Sequence, residues 1–123
     1  MTAGACQARA VTDLLHLADP AEWAQAQQTG SYDRSTRGAS LAEVGFVHCS
    51  YAHQVERVAG AVYGDWPGEL VVLHVDPSLL GVEVVEENLE GGGELFPHVY
   101  APIPVEAVTA VQELRRVDGT WRL

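Results

Sequence analysis

The stretch "ELVVLHVDP", from Glu69 to Pro77, decides how the rest of the chain is interpreted. A strand with one face in water alternates apolar and polar residues, whereas a strand covered on both faces is apolar almost throughout. This segment is too densely apolar for the first kind. We therefore predict that it is a central strand, with the remaining elements arranged around it.

Two short helices are predicted before this strand. Asp19 is a good N-cap, Pro20 suits the first helical position, and Gly30 supplies the end of the first helix. The second helix has apolar residues at helical spacing, with Ser50 as its predicted N-cap and Gly64 as its end. Both helices lie in the N-terminal half, and a strand over Leu14–Asp19 is predicted before the first.

The segments that follow the central strand are mostly extended. "VEVVEEN" (Val82–Asn88) predicts a strand, and "FPHVYAPIP" carries three prolines, so it is expected to be extended and partly outside a hydrogen-bonded ladder. Asp118-Gly119 predicts a two-residue hairpin turn. Early helices followed mainly by strands favour the α+β class over a doubly wound parallel fold.

Composition limits the classes of function. The chain has 123 residues, which fits a single domain, and we divide it into a flexible tail over 1–12 and one domain over 13–123. The net charge is −10, with no basic stripe, so neither a nucleic acid nor an anionic membrane surface is expected as a partner. No apolar run approaches the ~18 residues of a membrane span, and the first residues do not resemble a secretory signal. Two cysteines do not make a disulfide scaffold, so we expect a cytoplasmic location.

A long segment between the first helix and the next strand is interpreted as a loop. "SYDRSTRGASLAE" (31–43) is rich in loop-forming residues, and a loop this long in so small a domain is either mobile or functional. We assign Tyr32 and Ser40 within it as candidate ligand contacts.

The stretch "VGFVHCS" places reactive side chains where a strand meets a helix. Alternation puts His48 and Ser50 on one face and Cys49 on the other, which makes Cys49 a buried core residue. Ser50 also lies near the free N–H groups of a helix start, which suit an anion. Since His48 and Cys49 point apart, they do not easily share a metal ion, and we predict no metal site. A Cys49 nucleophile with a histidine base is an open alternative.

Other histidines lie at the edges of apolar runs. His16 is inside the first strand, and His98 follows Pro97 in a stiff segment that also holds Tyr100. A single histidine among apolar residues is more often a hydrogen-bonded core residue, but several such histidines favour a site. Glu86 and Glu87 are adjacent on a strand, so one of them faces a cleft and the other faces away, and the sequence leaves the choice open.

The blocks "LLHLADPAEWAQAQQTGSY", "SLAEVGFVHCSYAHQVERVA", "ELVVLHVDPSLLG" and "ELFPHVYAPIP", in this order, resemble the DUF952 family over roughly residues 14 to 115. The resemblance implies an ADP-ribosyltransferase-like fold, in which split, mostly antiparallel sheets surround a cleft that holds NAD in active relatives. It aligns His16, Ser50 (with His48 beside it) and Glu87 with the residues that such enzymes use, with Glu86 as the rival. Ala101 stands where the family usually has glycine.

The leading hypothesis is therefore a protein that binds NAD, as substrate, or an ADP-ribose-like nucleotide and catalyses ADP-ribosyl or related transfer. The alternatives are a non-catalytic small-molecule binding module and a general acid/base enzyme that uses His48 and His98 on another metabolite. The sequence does not fix the oligomeric state. The candidate catalytic residues are His48, Ser50, Glu87 and His98, and the candidate ligand contacts are His16, Tyr32, Ser40 and Tyr100.

Overall fold

A computed structural model describes residues 13–89 and 92–123 of the chain. The predicted tail over residues 1–12 lies outside the described residues. The described residues form a mixed α+β fold whose strands pair antiparallel. The strands are β1 (Leu14–Ala18), β2 (Ser31–Tyr32), β3 (Arg34–Thr36), β4 (Ala39–Ser40), β5 (Val47–His48), β6 (Leu70–Val75), β7 (Val84–Glu87), β8 (Phe96–Val99), β9 (Ile103–Pro104), β10 (Val108–Val117) and β11 (Thr120–Arg122). The helices are α1 (Pro20–Thr29), α2 (Leu41–Val44) and α3 (Ala52–Tyr63), with single 3-10 turns at Pro77–Leu79 and Val105–Ala107.

The main sheet has the strand order β1-β6-β10-β11, which confirms β6 as a central strand. Alternate residues of β6 pack into two different apolar clusters, one on each face of the sheet. Leu73 belongs to the cluster shared with the second sheet, and Val72 belongs to the cluster under α3. Burial on both faces is the reason for the unbroken apolar pattern of this segment.

The second sheet has the order β5-β8-β7. Its middle strand contains Pro97, and the proline-rich segment leaves the ladder only over residues 100–102, between β8 and β9, which agrees with the expectation that it lies partly outside. Proline has no N–H to donate, but the Pro97 carbonyl still accepts a 3.0 Å hydrogen bond from the Cys49 N–H. In this sheet His48 pairs with His98, and Phe96 pairs with Glu87. Directly paired residues project from the same face, so these four side chains share one face, while Cys49 packs into the core on the other.

The predicted loop over residues 31–43 is wrong, since this segment forms β2, β3, β4 and α2. Strand β2 pairs with β9, in the register Ser31 with Pro104. Helix α2 is closed by a capping box between Ser40 and Glu43. Loop-like composition was overridden here by a pairing partner that lies far away in sequence.

The boundaries of α1 confirm the predicted caps. The Asp19 carboxylate accepts a hydrogen bond from the Ala21 N–H, and Gly30 has φ +92°, a conformation that favours glycine. The predicted N-cap of α3 is wrong by one residue, because Tyr51 occupies that position. Ser50 instead forms an isolated bridge with Leu15, in which each N–H donates to the other's carbonyl at 2.8 Å.

The C-terminal hairpin of β10 and β11 turns at Asp118-Gly119, as predicted. Both residues have positive φ, +54° and +78°, as a type I′ turn requires. None of the helices in the described part of the chain has the length and apolar character needed to cross a membrane.

Candidate functional site

A cleft of about 540 Å³ lies between α3, the short strand β3 and the outer face of the second sheet. Its size is within the range of small-molecule sites, about 300–1,000 Å³. Most of its wall is apolar, with a few polar groups among the apolar ones. The cleft is lined by Ser35, Thr36, Val44, Phe46, His48, Arg57, Val58, Ala61, Val62 and Phe96.

His48 is the predicted catalytic residue that lines this cleft. Because the Val47 side chain is fully buried in the core, alternation along β5 turns His48 to the opposite face, where it is half-buried. The centre of its ring lies 5.3 Å from that of Phe96 and 5.3 Å from that of His98. The imidazole is therefore held in place by aromatic neighbours at the wall of the cleft.

His98, Glu87 and Tyr100 form a hydrogen-bonded group on the same sheet face. Oε1 of Glu87 lies 2.8 Å from Nδ1 of His98 and accepts a 2.6 Å hydrogen bond from the Tyr100 hydroxyl. Two hydrogen bonds lower the pKa of Glu87, the one from Tyr100 having the larger effect and the one from His98 the smaller. The hydrogen bond to Glu87 also raises the pKa of Tyr100. His98 is fully buried and stacks on Phe46 with ring centres 4.0 Å apart. The group lies behind His48 and does not itself line the cleft.

The two adjacent glutamates differ in their partners. Glu87 shares the face of Phe96 and His98, whereas Glu86 receives a hydrogen bond from the Tyr51 hydroxyl. Glu86 and Tyr51 border a second cavity, of about 720 Å³, on another side of the molecule. Of the two carboxylates, Glu87 is therefore the one that belongs to the His48 side of the sheet.

His16 and Tyr32, both predicted as ligand contacts, lie in the protein interior. Nδ1 of His16 lies 2.7 Å from the His48 carbonyl oxygen, so it carries the proton in that bond. Burial lowers the pKa of His16 to about 4, so the ring is neutral at pH 7 and Nε2 accepts from the Tyr32 hydroxyl at 2.9 Å. Burial also raises the pKa of Tyr32. With both ring nitrogens bonded to the protein, the observed role of His16 is to tie β1 to β2 and β5.

Ser50 and Ser40 lie in different surroundings. Ser50 is buried and borders a small hollow, of about 10 Å³, together with His16 and His48. Its own N–H donates to the Leu15 carbonyl, and the anion-binding role expected of the N–H groups at the nearby helix start stays a prediction. The Ser40 hydroxyl accepts from the Glu43 N–H and caps α2, outside the residues that line the cleft.

The structure thus gathers the predicted residues into two adjoining groups that meet at His48. One group is the hollow beneath the cleft, with His16 and Ser50, and the other is the carboxylate–imidazole group behind the cleft wall. Ser40 belongs to neither group. The catalytic and ligand-binding roles assigned to these residues stay predictions.

Apart from His48, the residues that line the cleft were missed by the sequence analysis, and four of them show what signal was present. Phe46 and Phe96 stand two residues before His48 and His98, so alternation in the predicted strands was a usable signal for them. Arg57 stands four residues before the cleft residue Ala61 on α3, so helical spacing was a usable signal for it. Ser35 had no such signal, since its segment was interpreted as a loop.

The thiol of Cys49 does not suit the role of nucleophile. It is buried in the core cluster, and burial raises its pKa to about 12. A nucleophilic cysteine requires the thiolate, which this environment disfavours. The core interpretation of Cys49 is therefore the one that the structure supports.

No metal-holding group of three or more His, Cys, Asp or Glu side chains occurs within residues 13–89 and 92–123. The prediction of a metal-free site stays a prediction.

Comparisons with known proteins place the chain in a family. The chain is similar to the protein CC0527 from Caulobacter crescentus in its X-ray structure, with 29% identity, a TM-score of 0.72, and coverage of 90% of this chain and 94% of that chain. The solution NMR structure of CC0527 gives 27% identity and a TM-score of 0.70, with 89% and 90% coverage. The search of curated proteins found no match. The family described as "Protein of unknown function (DUF952)" matches residues 17–111, so the chain belongs to the DUF952 family.

Proposed function

We propose that this protein binds a small nucleotide-like molecule of the NAD or ADP-ribose class in the cleft beside His48, and that it acts on that ligand by ADP-ribosyl or related transfer. One observation carries the proposal: the wall of an apolar cleft of about 540 Å³ holds two phenylalanines and the imidazole of His48, whose ring centre lies 5.3 Å from that of Phe96. Planar ring systems pack well against aromatic side chains, and a nucleotide contains such rings.

The charge of the cleft agrees with this ligand class. The protein as a whole has a net charge of −10, which disfavours anions, but Arg57 lies in the cleft wall. Its guanidinium pairs with Glu94 at the exposed side of the cleft. An arginine there offers planar donors to a phosphate group, and Glu94 is the competitor that a phosphate would displace.

The transfer chemistry draws on the carboxylate next to the cleft. ADP-ribosyl transfer passes through a cationic ribosyl centre, which a carboxylate near the sugar stabilises. Glu87 already binds His98 and Tyr100 through Oε1, and Oε2 takes part in neither hydrogen bond. In this proposal Glu87 orients His98 and contributes its negative charge from behind the cleft wall, while His48 contacts the ligand directly.

The binding test is a calorimetric titration of the purified protein with NAD and with ADP-ribose. His48→Ala should weaken binding by about fivefold or more, since one lost hydrogen bond is worth about 1 kcal/mol. Val58→Trp should abolish binding by filling the cleft that Val58 lines. His74→Ala is the matched control, because His74 bonds to Gln112 on the main sheet and does not line the cleft. Absence of binding at about millimolar nucleotide, or equal weakening by the control, would refute the proposal.

A second candidate function is general acid/base catalysis on another metabolite. It is favoured by the arrangement of a carboxylate bonded to a buried imidazole with a second imidazole, that of His48, 5.3 Å further on. Carboxylates orient histidines in this way in proton-transfer sites. Nicotinamide release from NAD, followed by NMR, distinguishes the candidates: ADP-ribosyl transfer to water or another acceptor releases it, and acid/base chemistry on a different metabolite does not.

A further inference from the structure

Ser35 is a fully buried residue at the base of the cleft, and its hydroxyl has no hydrogen-bond partner among the described residues. Buried polar groups are almost always paired, because an unpaired one has lost its hydrogen bonds to water and gained none in the protein, which costs free energy. A buried hydroxyl without a partner in a cleft wall therefore needs an explanation. The residue lines both the cleft and the small hollow beneath it.

The backbone of β3 is irregular at this position. Arg34 pairs with Ser40 and Thr36 pairs with Ala39, so the pairing passes over Ser35. An extra residue in one strand is a β-bulge, which turns a side chain away from its regular direction and is frequent beside functional sites. Here the neighbouring Arg34 forms an ion pair with Glu22, whereas Ser35 borders the cleft.

The hollow limits what can reach the hydroxyl. It measures about 10 Å³ and shares Ser35, Thr36, His48, Val58 and Val62 with the cleft above. Such a volume accommodates about one water-sized atom and no ring. The ring of a ligand must therefore stay between the apolar walls of the cleft, and only a single substituent atom can approach Ser35.

We propose that Ser35 is a specificity-determining residue, whose Oγ hydrogen-bonds one polar atom, a hydroxyl or carbonyl oxygen, on a planar ring held in the cleft. The ligand class that this selects is a ring with an oxygen substituent directed to the floor beside His48. The inference rests on the same cleft as the proposed function, but it does not require the ligand to be a nucleotide.

The test uses two probes of similar size, phenol and toluene, titrated into isotopically labelled full-length protein and followed by NMR. The cleft signals to follow are those of Phe46, His48 and Phe96. Ser35→Ala should shift the ratio of the two dissociation constants by about fivefold in favour of toluene, as expected for one hydrogen bond. Using the ratio removes effects of the substitution that are common to both probes.

Ser31→Ala is the control, because Ser31 lies on β2 outside the cleft and should leave the ratio unchanged. An unchanged ratio in Ser35→Ala, or absence of cleft signal changes with either probe, overturns the role of Ser35. Thermal unfolding of the free variants checks that both fold.

The two proposals fail separately. If the probes discriminate as expected while NAD and ADP-ribose do not bind, the nucleotide proposal is wrong and the role of Ser35 stands. If the nucleotides bind equally to wild type and Ser35→Ala and the probe ratio is unchanged, the role of Ser35 is wrong and the cleft remains a nucleotide site.

Discussion

Nδ1 of His98 lies 2.8 Å from Oε1 of Glu87, and the imidazole is fully buried while the carboxylate is only partly covered. The pair joins the middle strand of the second sheet to its edge strand. It also fixes one ring nitrogen of His98 next to the histidine that lines the cleft.

Replacing Glu87 with glutamine should remove part of the acid sensitivity of folding. Hydrogen bonds from Tyr100 and His98 hold the pKa of Glu87 below its usual 4.5 in the folded protein. The carboxylate therefore stabilises the folded state above about pH 4.5, and this stabilisation is lost as the pH falls through the folded pKa. Urea unfolding over a pH series should show a shallower acid decline in Glu87→Gln. Glu83→Gln, at an exposed position before β7, should keep the wild-type slope.

His16 should make folding less favourable below neutral pH. Its pKa falls from 6.5 to about 4 on folding, mainly through burial, so only the unfolded chain gains a proton in this window. The free energy of unfolding should decline by on the order of 3 kcal/mol as the pH drops from about 6.5 to about 4. Above pH 6.5 His16 should cause no loss of stability, because the ring is neutral in both the folded and the unfolded chain. His16→Gln should lose this dependence, with His53→Gln as the control. An NMR titration that finds the His16 ring protonated near pH 6 would contradict the prediction.

Ser35→Ala should stabilise the protein without its ligand. The substitution removes a buried hydroxyl that lacks a partner, and such a group costs about 1–3 kcal/mol. We expect the free energy of unfolding to rise by about 1 kcal/mol, measured by urea denaturation. The exposed Ser31→Ala should change it by less than about 0.5 kcal/mol. A loss of stability in Ser35→Ala would mean that the hydroxyl is paired in solution.

Cys49 should resist thiol reagents in the folded protein. Its side chain is buried, and burial raises its pKa to about 12, so both access and thiolate formation are suppressed. In a Cys6→Ser background, a chromogenic disulfide reagent should label no thiol under native conditions and one thiol in denaturant. Rapid native labelling would revive the nucleophile hypothesis.

Local signals predicted several elements correctly. The caps of α1, Asp19 and Gly30, act within a few residues of the helix they bound, so their effect is visible in the sequence. The Asp118-Gly119 turn is equally local, because two residues with positive φ suffice to form it. Alternation along β5 correctly separated His48 from the core residue Cys49.

Failures occurred where a distant segment decided the local structure. Residues 31–43 have loop-like composition, yet β2 is completed by β9, which supplies backbone partners more than 70 residues away. The N-cap of α3 was misplaced because the Ser50 N–H is taken by Leu15. Hydrogen bonds between segments that are distant in sequence cannot be predicted from neighbouring residues alone.

The sequence by itself determined the central strand, the caps of the first helix and the side of β5 that faces the core, since each depends on burial pattern or on neighbouring residues. Only the tertiary structure decided which histidines line the cleft and which are held inside. His16 and His48 both stand in short apolar runs, but β1 is covered on both sides and β5 has one open face. Exposure depends on what packs against a strand from elsewhere in the chain, and for that reason composition around a histidine does not reveal it.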